Sequence, residues 1–275
     1  MNPFSAYVPC FNNALTVATA LDSLQRQSPV PAELFLVDDG SEDNSCVIAD
    51  QLGVAIVAMG RNSGRGAVRA RAMELAHHEF VVCCDATNYL PDDFATQALR
   101  HFADPNVAAV FGRIWQHDAR TMADRWRGRH LFMVQERLAV RHRALLSTYG
   151  CVLRRSAVLE VGNFDRFLRH SEDADLGRRL LAAGFDVIFD PSLHVIAGIS
   201  NSKRQVLERY WRWYAGSLED VSLYGYAKQV WYSLRVMALR DLHYGDPFAI
   251  PLSLLCPHYQ FWRSWWRRFS GQVQR

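Results

Sequence analysis

Three short stretches put acidic side chains where chemistry is done. "AELFLVDDGS" is an apolar β-run ending on Asp38, Asp39 and a Gly-Ser turn. "FVVCCDATNYLPDDF" is a buried β-run ending on Asp85. "SEDADLGRRLLAAGF" opens a helix with Ser171, Glu172 and Asp173. A carboxylate held at a strand end can accept N–H donors or hold a hard cation. An acid in the first turn of a helix is stabilised as the carboxylate, at some cost in basicity, and can act as a general base. Arg65, Arg69 and Arg71 place cations in one helical segment. Each feature also has an ordinary reading: a polar turn, a helix-terminal acid, a solvated helix charge. Asp92 and Asp93 lie beyond the turn after Asp85 and are candidates for capping the next helix.

The elements that must hold these groups alternate. "AYVPC", "AELFLVDD", "VAIVAM", "FVVCC" and "NVAAVFG" are β-runs. Between them, "NNALTVATALDSLQRQ", "SCVIADQL", "GAVRARAMELAHH" and "PDDFATQALRHF" read as helices, the first with Leu15, Ala18, Leu21 and Leu24 at helical spacing. Continuous apolar strands alternating with amphipathic helices predict a parallel sheet covered on both faces. In such sheets ligands sit beyond the carboxyl ends of the strands, where Asp38, Asp39 and Asp85 fall. Further on, "DRWRGRHLFMVQERLAVRHRALLS" reads as a basic helical stretch. "TYGCVLRRSAVLEVGNFD" reads as strand, helix and glycine turn. The helix from Glu172 has Ser171 as its cap and Gly184 as its stop, and "DVIFDPSLHVI" reads as a closing strand pair.

The 275 residues suffice for one large domain, or one domain with an appendage. A net charge of +3 is too small to argue for nucleic acid. None of the six cysteines has zinc-site spacing, and Cys83 and Cys84 point to opposite sheet faces. Buried free thiols in a reducing compartment, no secretory signal and no apolar run long enough to span a bilayer together predict a cytoplasmic protein. From about Asn201 the chain turns aromatic and basic, as in "YWRWYAG", "VWYSLRV" and "FWRSWWRRF". On a helix, Phe261, Trp262, Trp265, Trp266 and Phe269 share a face opposite Arg263 and Arg267. That pattern fits a peripheral contact with the inner face of a membrane, and equally a cap on the domain's own core or a dimer contact.

Four ordered segments between about Tyr7 and Ile196 resemble the family 2 glycosyltransferases: "YVPCFNN", "LDSLQRQSPVPAELFLVDDGSEDNS", "GRNSGRGAVRARAMELAHHEFVVCCDATN" and "VGNFDRFLRHSEDADLGRRLLAAGFDVIFDPS". The resemblance implies a GT-A fold: an α/β, Rossmann-like, mostly parallel sheet flanked by helices. It places a glycosyltransferase domain at 1–200, with a donor half at about 1–112 and an acceptor half at about 113–200. Residues 201–275 become a C-terminal helical extension. It implies inverting transfer from a nucleotide-diphosphate sugar, UDP favoured, to a glycan or lipid-linked acceptor. Pro9 and Asp39 would line the nucleoside pocket, with Asp39 accepting from the base imide N–H and Asp38 supporting the loop. Arg69 would contact base or phosphates. Asp173, beside Glu172, would be the general base.

The resemblance breaks at the metal. The family commonly reads Asp-x-Asp, with the last carboxylate on Mg²⁺ or Mn²⁺; here the segment is Asp85-Ala86-Thr87-Asn88. A metal-binding His in many relatives, six residues after Pro191, is here Ala197. A hydroxyl is a poor substitute for a carboxylate on a hard cation. Three explanations stand: arginines such as Arg69 neutralise the leaving diphosphate, or Asp85 and Asn88 hold a cation loosely, or the protein binds a nucleotide sugar or a partner without turnover. Nucleotidyl transfer would use a similar sheet, but the chain has no glycine-rich phosphate loop.

Overall fold

The structure, a computed structural model, describes residues 3–116, 118–215 and 222–269; the side chains of 214–215 and 267–269 also lie outside the description. The described chain forms two compact units. Met1–Trp115 and Arg137–Ile199 make the first, and Gln116–Glu136 and Ser200–Arg275 the second.

The first unit opens with three β-α repeats. They are β1 (Phe4–Cys10), α1 (Val17–Gln25), β2 (Glu33–Asp38), α2 (Ser45–Gln51), β3 (Ala55–Ala58) and α3 (Arg65–Leu75). Next come β4 (Phe80–Cys84), the short β5 (Asn88–Tyr89), α4 (Phe94–Leu99) and β6 (Val107–Trp115). After the excursion into the second unit, β7 (Gly150–Arg154), α6 (Arg155–Glu160), α7 (Glu172–Ala182) and β8 (Asp186–Ala197) complete it. Among the described residues the sheet has eight strands in the order β3-β2-β1-β4-β7-β6-β8-β5. β1, β2, β3 and β4 are mutually parallel, as are β6 and β8. β7 runs antiparallel between β4 and β6. The order reverses at β1, so β2 and β4 flank it and their carboxyl ends open on one crevice, the usual place for a ligand.

Alternation along the strands sorts the core into two layers. Ala6, Val8, Val82 and Cys84 pack with α1 on one face; Tyr7, Val81 and Cys83 pack with α3 on the other. The adjacent cysteines do face opposite ways, and all six are free. Leu15 is exposed, because α1 begins at Val17 and buries Val17, Leu21 and Leu24 instead.

Three expectations about local structure need correction. The stretch expected to be helical from Asp124 to Ser147 is helical only to His130. Beyond it Arg141 exchanges backbone hydrogen bonds with Phe189 (3.0 and 2.8 Å), and Ala144 N–H donates to Val187 (2.9 Å). Pairing with β8 overrides helical periodicity there. The expected closing strand pair is one strand, β8, carried past β6 by a bulge. Gly112 allows the passage, since a Cβ there would lie 2.2 Å from the Leu193 carbonyl oxygen. Ser171 and Asp93 sit at N-cap positions but neither side chain caps. Ser171 takes a left-handed backbone, φ +60°, and Asp93 accepts from Gln97 instead.

The second unit comprises α5 (Met122–His130), α8 (Lys203–Ala215), α9 (Leu223–Tyr232), α10 (Ala238–His243) and α11 (Ile250–Phe269). A π-helical turn, Ser233–Met237, joins α9 to α10. Residues 116–136, assigned from sequence to the acceptor half, belong here because of their charges. Arg129 and His130, both 3% exposed at the side chain, converge on the fully buried Asp241, with His130 at 2.7 Å. Arg125 and Arg129 also hold Asp246, at 2.9 and 3.2 Å. Asp241 accepts from Ser253 as well (2.5 Å), and Trp126 Nε1 donates to that Ser253 (2.7 Å). Buried charges need partners of this kind, and the C-terminal helices supply them.

This cluster should make the second unit acid-sensitive. Burial pushes His130 below its ordinary value; Arg129 and Arg240 add to that, and Asp241 opposes it. The unfolded chain then takes up the proton first as pH falls through about 6.5, and stability drops. Burial alone would raise Asp241, but its bonds to His130, Ser253 and Arg129 hold it below the carboxylate range. Its share of stability persists down to about pH 4 and is lost below that. Urea midpoints should therefore decline from about pH 7 to pH 5, and His130→Gln should flatten that slope; an unchanged slope in the variant would refute the assignment.

Candidate active site

The site is built on a buried arginine. Arg69 lies on the inner face of α3 with its side chain 2% exposed. Its Nη2 donates to Asp85 Oδ1 at 2.7 Å and its Nε to Glu172 Oε1 at 3.1 Å. Its Nη1 reaches Cys83 Sγ at 2.8 Å and the Tyr7 hydroxyl at 3.4 Å. One guanidinium thus joins β1, β4, the residue just past β4, and the first turn of α7. Burial pushes the Cys83 thiol up, but its bond with Cys151 and the Arg69 charge outweigh this and hold it below its ordinary value. Burial raises Glu172, Arg69 opposes that, and the adjacent Asp173 adds to it. Glu172 Oε2 is buried with no hydrogen-bond partner.

The strand-end aspartates shape the loops. Asp38 Oδ2 accepts from Gly40 N–H and Ser41 N–H at 3.1 and 3.0 Å, closing the turn after β2. Asp39 accepts from Ser63 N–H (2.6 Å) and Gly64 N–H (2.9 Å), which anchors the loop leading into α3. Burial raises Asp39, and those two backbone donors oppose it. Pro9 is half-buried near the end of β1, in register with Val37. The segment before α7 docks on the start of α3: Gly66 N–H donates to Leu168 at 3.0 Å, and a Cβ on Gly66 would lie 2.0 Å from the Asp165 carbonyl oxygen. The loop before α7 is therefore seated on the start of α3.

Thr87 and Ala197 are neighbours in space although 110 residues apart in sequence. Asn88 pairs with Ala197, and Gly198 N–H donates to the Thr87 carbonyl at 2.9 Å. The two positions that the family resemblance marks for metal ligands thus fall together, and neither side chain is a carboxylate or an imidazole. Asp85, the remaining acid, is a quarter exposed and has one oxygen on Arg69. Among the described residues no group of three or more His, Cys, Asp or Glu is gathered to hold a metal ion. These donors do not fit a protein-built divalent site.

Arg69 itself sits differently from the sequence expectation. Its fork is spent inside the protein, on carboxylates, a thiol and a phenol. Arg65 opens α3 and acts on Glu172 from the exposed side. Asp173 is half-buried, and its Oδ1 accepts from Ala174 N–H at 2.8 Å. Tyr149, which the sequence did not single out, is pushed up by burial and by the Asp173 charge, and donates to the Gly112 carbonyl at 2.8 Å. Tyr7 and Cys83 were likewise not assigned to the site from sequence. Residues inside continuous apolar strands carry no signal beyond their place in the core.

Acidic strand ends open on one crevice, facing a helix that begins with Glu-Asp, and solved glycosyltransferases of the GT-A kind share this fold. The mannosyltransferase PcManGT from Pyrobaculum calidifontis, solved with GDP-Man and Mn²⁺, superposes with a TM-score of 0.63 at 19% identity, covering 93% of this chain and 74% of that one. S. aureus TarS 1–349 in complex with UDP gives 0.57 at 17% identity, covering 99% and 93%. The sequence profile of Glycosyl transferase family 2 matches residues 5–162, and the chain belongs to that family. The putative glycosyltransferase EpsH of Bacillus subtilis is 33% identical over 117 residues, 39% of this chain and 34% of its own length. The O-antigen chain rhamnosyltransferase RfbN of Salmonella typhimurium is 24% identical over 218 residues, 74% of this chain and 68% of its own. The matched stretch thus spans about a third of the Bacillus relative and two thirds of the Salmonella one.

Removing the buried arginine should cost more than its contacts suggest. Arg69→Met leaves Glu172 charged and unpaired in the core, a loss of about 3 kcal/mol or more. Adding Glu172→Gln should restore over half of that in chemical denaturation. A double variant no more stable than the single one would show that the ion pair is not what holds this place together.

Proposed function

We propose that the protein is an inverting glycosyltransferase that moves a sugar from a nucleotide diphosphate to a hydroxyl of a glycan or lipid-linked acceptor. The observation that carries this reading is the Arg69 bridge. It sets Asp85, on the donor side, and Glu172, next to the candidate base, in one rigid frame. A UDP-sugar is the favoured donor. Asp39 offers a carboxylate to a base imide N–H, with Pro9 near the end of the neighbouring strand, and Asp38 holds the turn behind it. Asp85 and Thr87 lie at the diphosphate end. With Arg69 spent, Arg65 is the cation of this reading for the leaving diphosphate.

Asp173 takes the acceptor proton as the hydroxyl attacks the anomeric carbon from the face opposite the diphosphate. The C–O bond to the acceptor forms as the bond to the diphosphate breaks. Glu172 does not compete for that proton, being buried and tied to Arg69. The free thiols fit a reducing, cytoplasmic setting, where such donors are made. The missing carboxylate and imidazole support weak or no dependence on Mg²⁺ or Mn²⁺.

Asp173→Asn should lower kcat by about 10²–10⁴-fold with donor affinity retained, measured by transfer assay and calorimetry; near-normal turnover would remove Asp173 as the base. In calorimetry of UDP with and without Mn²⁺, the affinities should agree closely. A gain of about tenfold, 1.4 kcal/mol, on adding Mn²⁺ would overturn the metal reading.

A further inference from the structure

The second unit leaves a helical face bare. From Leu223 to His243 the chain is one continuous helical run through α9, the π turn and α10. α9 has no buried residue. It is held to α11 by Tyr226, whose ring lies 4.6 Å from Phe261 and whose hydroxyl bonds His258 at 2.6 Å. The rest of the run presents Tyr224, Trp231, Leu234 and Leu242 to solvent, with Tyr224 81% and Trp231 59% exposed. α11 adds Trp262 and Trp266, both more than 60% exposed. Soluble monomers rarely leave so much contiguous apolar surface uncovered.

Charge says what covers it. Between Ser222 and Trp266 the acidic residues are Asp241 and Asp246, both buried and spent on Arg125, Arg129 and His130. The exposed charges of that stretch are cations, including Lys228, Arg235 and Arg263. Arg235 lies over the Trp231 ring at 4.7 Å. Arg263 was expected opposite the aromatic face; it rests on Trp211 at 5.3 Å and on Glu208, while Arg267 and Phe269 lie outside the described side chains. Residues 201–275 hold eleven Lys and Arg against five Asp and Glu, so the rest of the chain is net acidic. A second copy docking on this face would set cations against cations. An anionic headgroup layer neutralises them and accepts the Trp and Tyr rings at its boundary. No helix among the described residues is long and apolar enough to cross a membrane.

We propose that this face docks on an anionic phospholipid bilayer, with the α9–α10 run and the aromatic side of α11 lying in the headgroup layer. The inference is independent of sugar transfer and stands or falls by its own test. The full chain is floated with phosphatidylglycerol-rich vesicles, with pure phosphatidylcholine vesicles, and with the former at high salt. It should bind the anionic vesicles, release in salt and ignore the neutral ones, and its tryptophan emission should shift to the blue on binding. Lys228→Glu and Arg235→Glu should each weaken binding by on the order of fivefold or more. Tyr224→Ser with Trp231→Ser, at exposed positions that leave the core intact, should abolish it. Failure to bind anionic vesicles would overturn the proposal, as would a concentration-dependent dimer in light scattering that the Tyr224/Trp231 variant dissolves.

Discussion

A single guanidinium, Arg69, meets four side chains from three widely separated parts of the chain: β1, the end of β4 and the start of α7. Burying it without compensation would be very costly, so each acceptor around it is as much a requirement of the fold as of the site. Tyr7 and Cys83 hold it from the sheet, while Asp85 and Glu172 hold it from the two sides of the crevice. Because the fork is planar, fixing two carboxylates on it also fixes them relative to each other. α7 therefore begins where Arg69 allows, and Asp173 is presented next to a neighbour that cannot turn away.

The same logic explains the change at the cation site. The turn after β4 and the end of β8 are still paired, Asn88 to Ala197. The backbone there is paired, and the side chains of Thr87 and Ala197 offer neither a carboxylate nor an imidazole. The backbone hydrogen bonds and the buried Asn88, which donates to the Tyr149 carbonyl, maintain that loop geometry by themselves.

The second unit uses ion pairing differently. Asp241 and Asp246 gather Arg125, Arg129 and His130 into a buried polar core, so a small set of helices can hold together while its outer face stays apolar. With its acids turned inward, the outward charge of that stretch is positive.

Much of this was legible in the residue order. Alternating apolar runs and amphipathic helices specified the layered sheet, since their periods bury one face or both. The strand-end aspartates and the Glu-Asp pair were visible because a rigid end followed by a turn is where a carboxylate meets a ligand. Other features needed the assembled molecule. The antiparallel insertion of β7, the use of 141–144 as partner to β8 in place of helix, and the grouping of 116–136 with the C-terminal helices depend on distant partners that local periodicity cannot encode. Arg69 shows the limit most clearly. Its sequence neighbourhood, with Arg65 and Arg71, is that of a helix bearing cations. Only packing on β1 and β4 turned it inward, and only the return of α7 more than a hundred residues later supplied the second carboxylate that makes its burial tolerable.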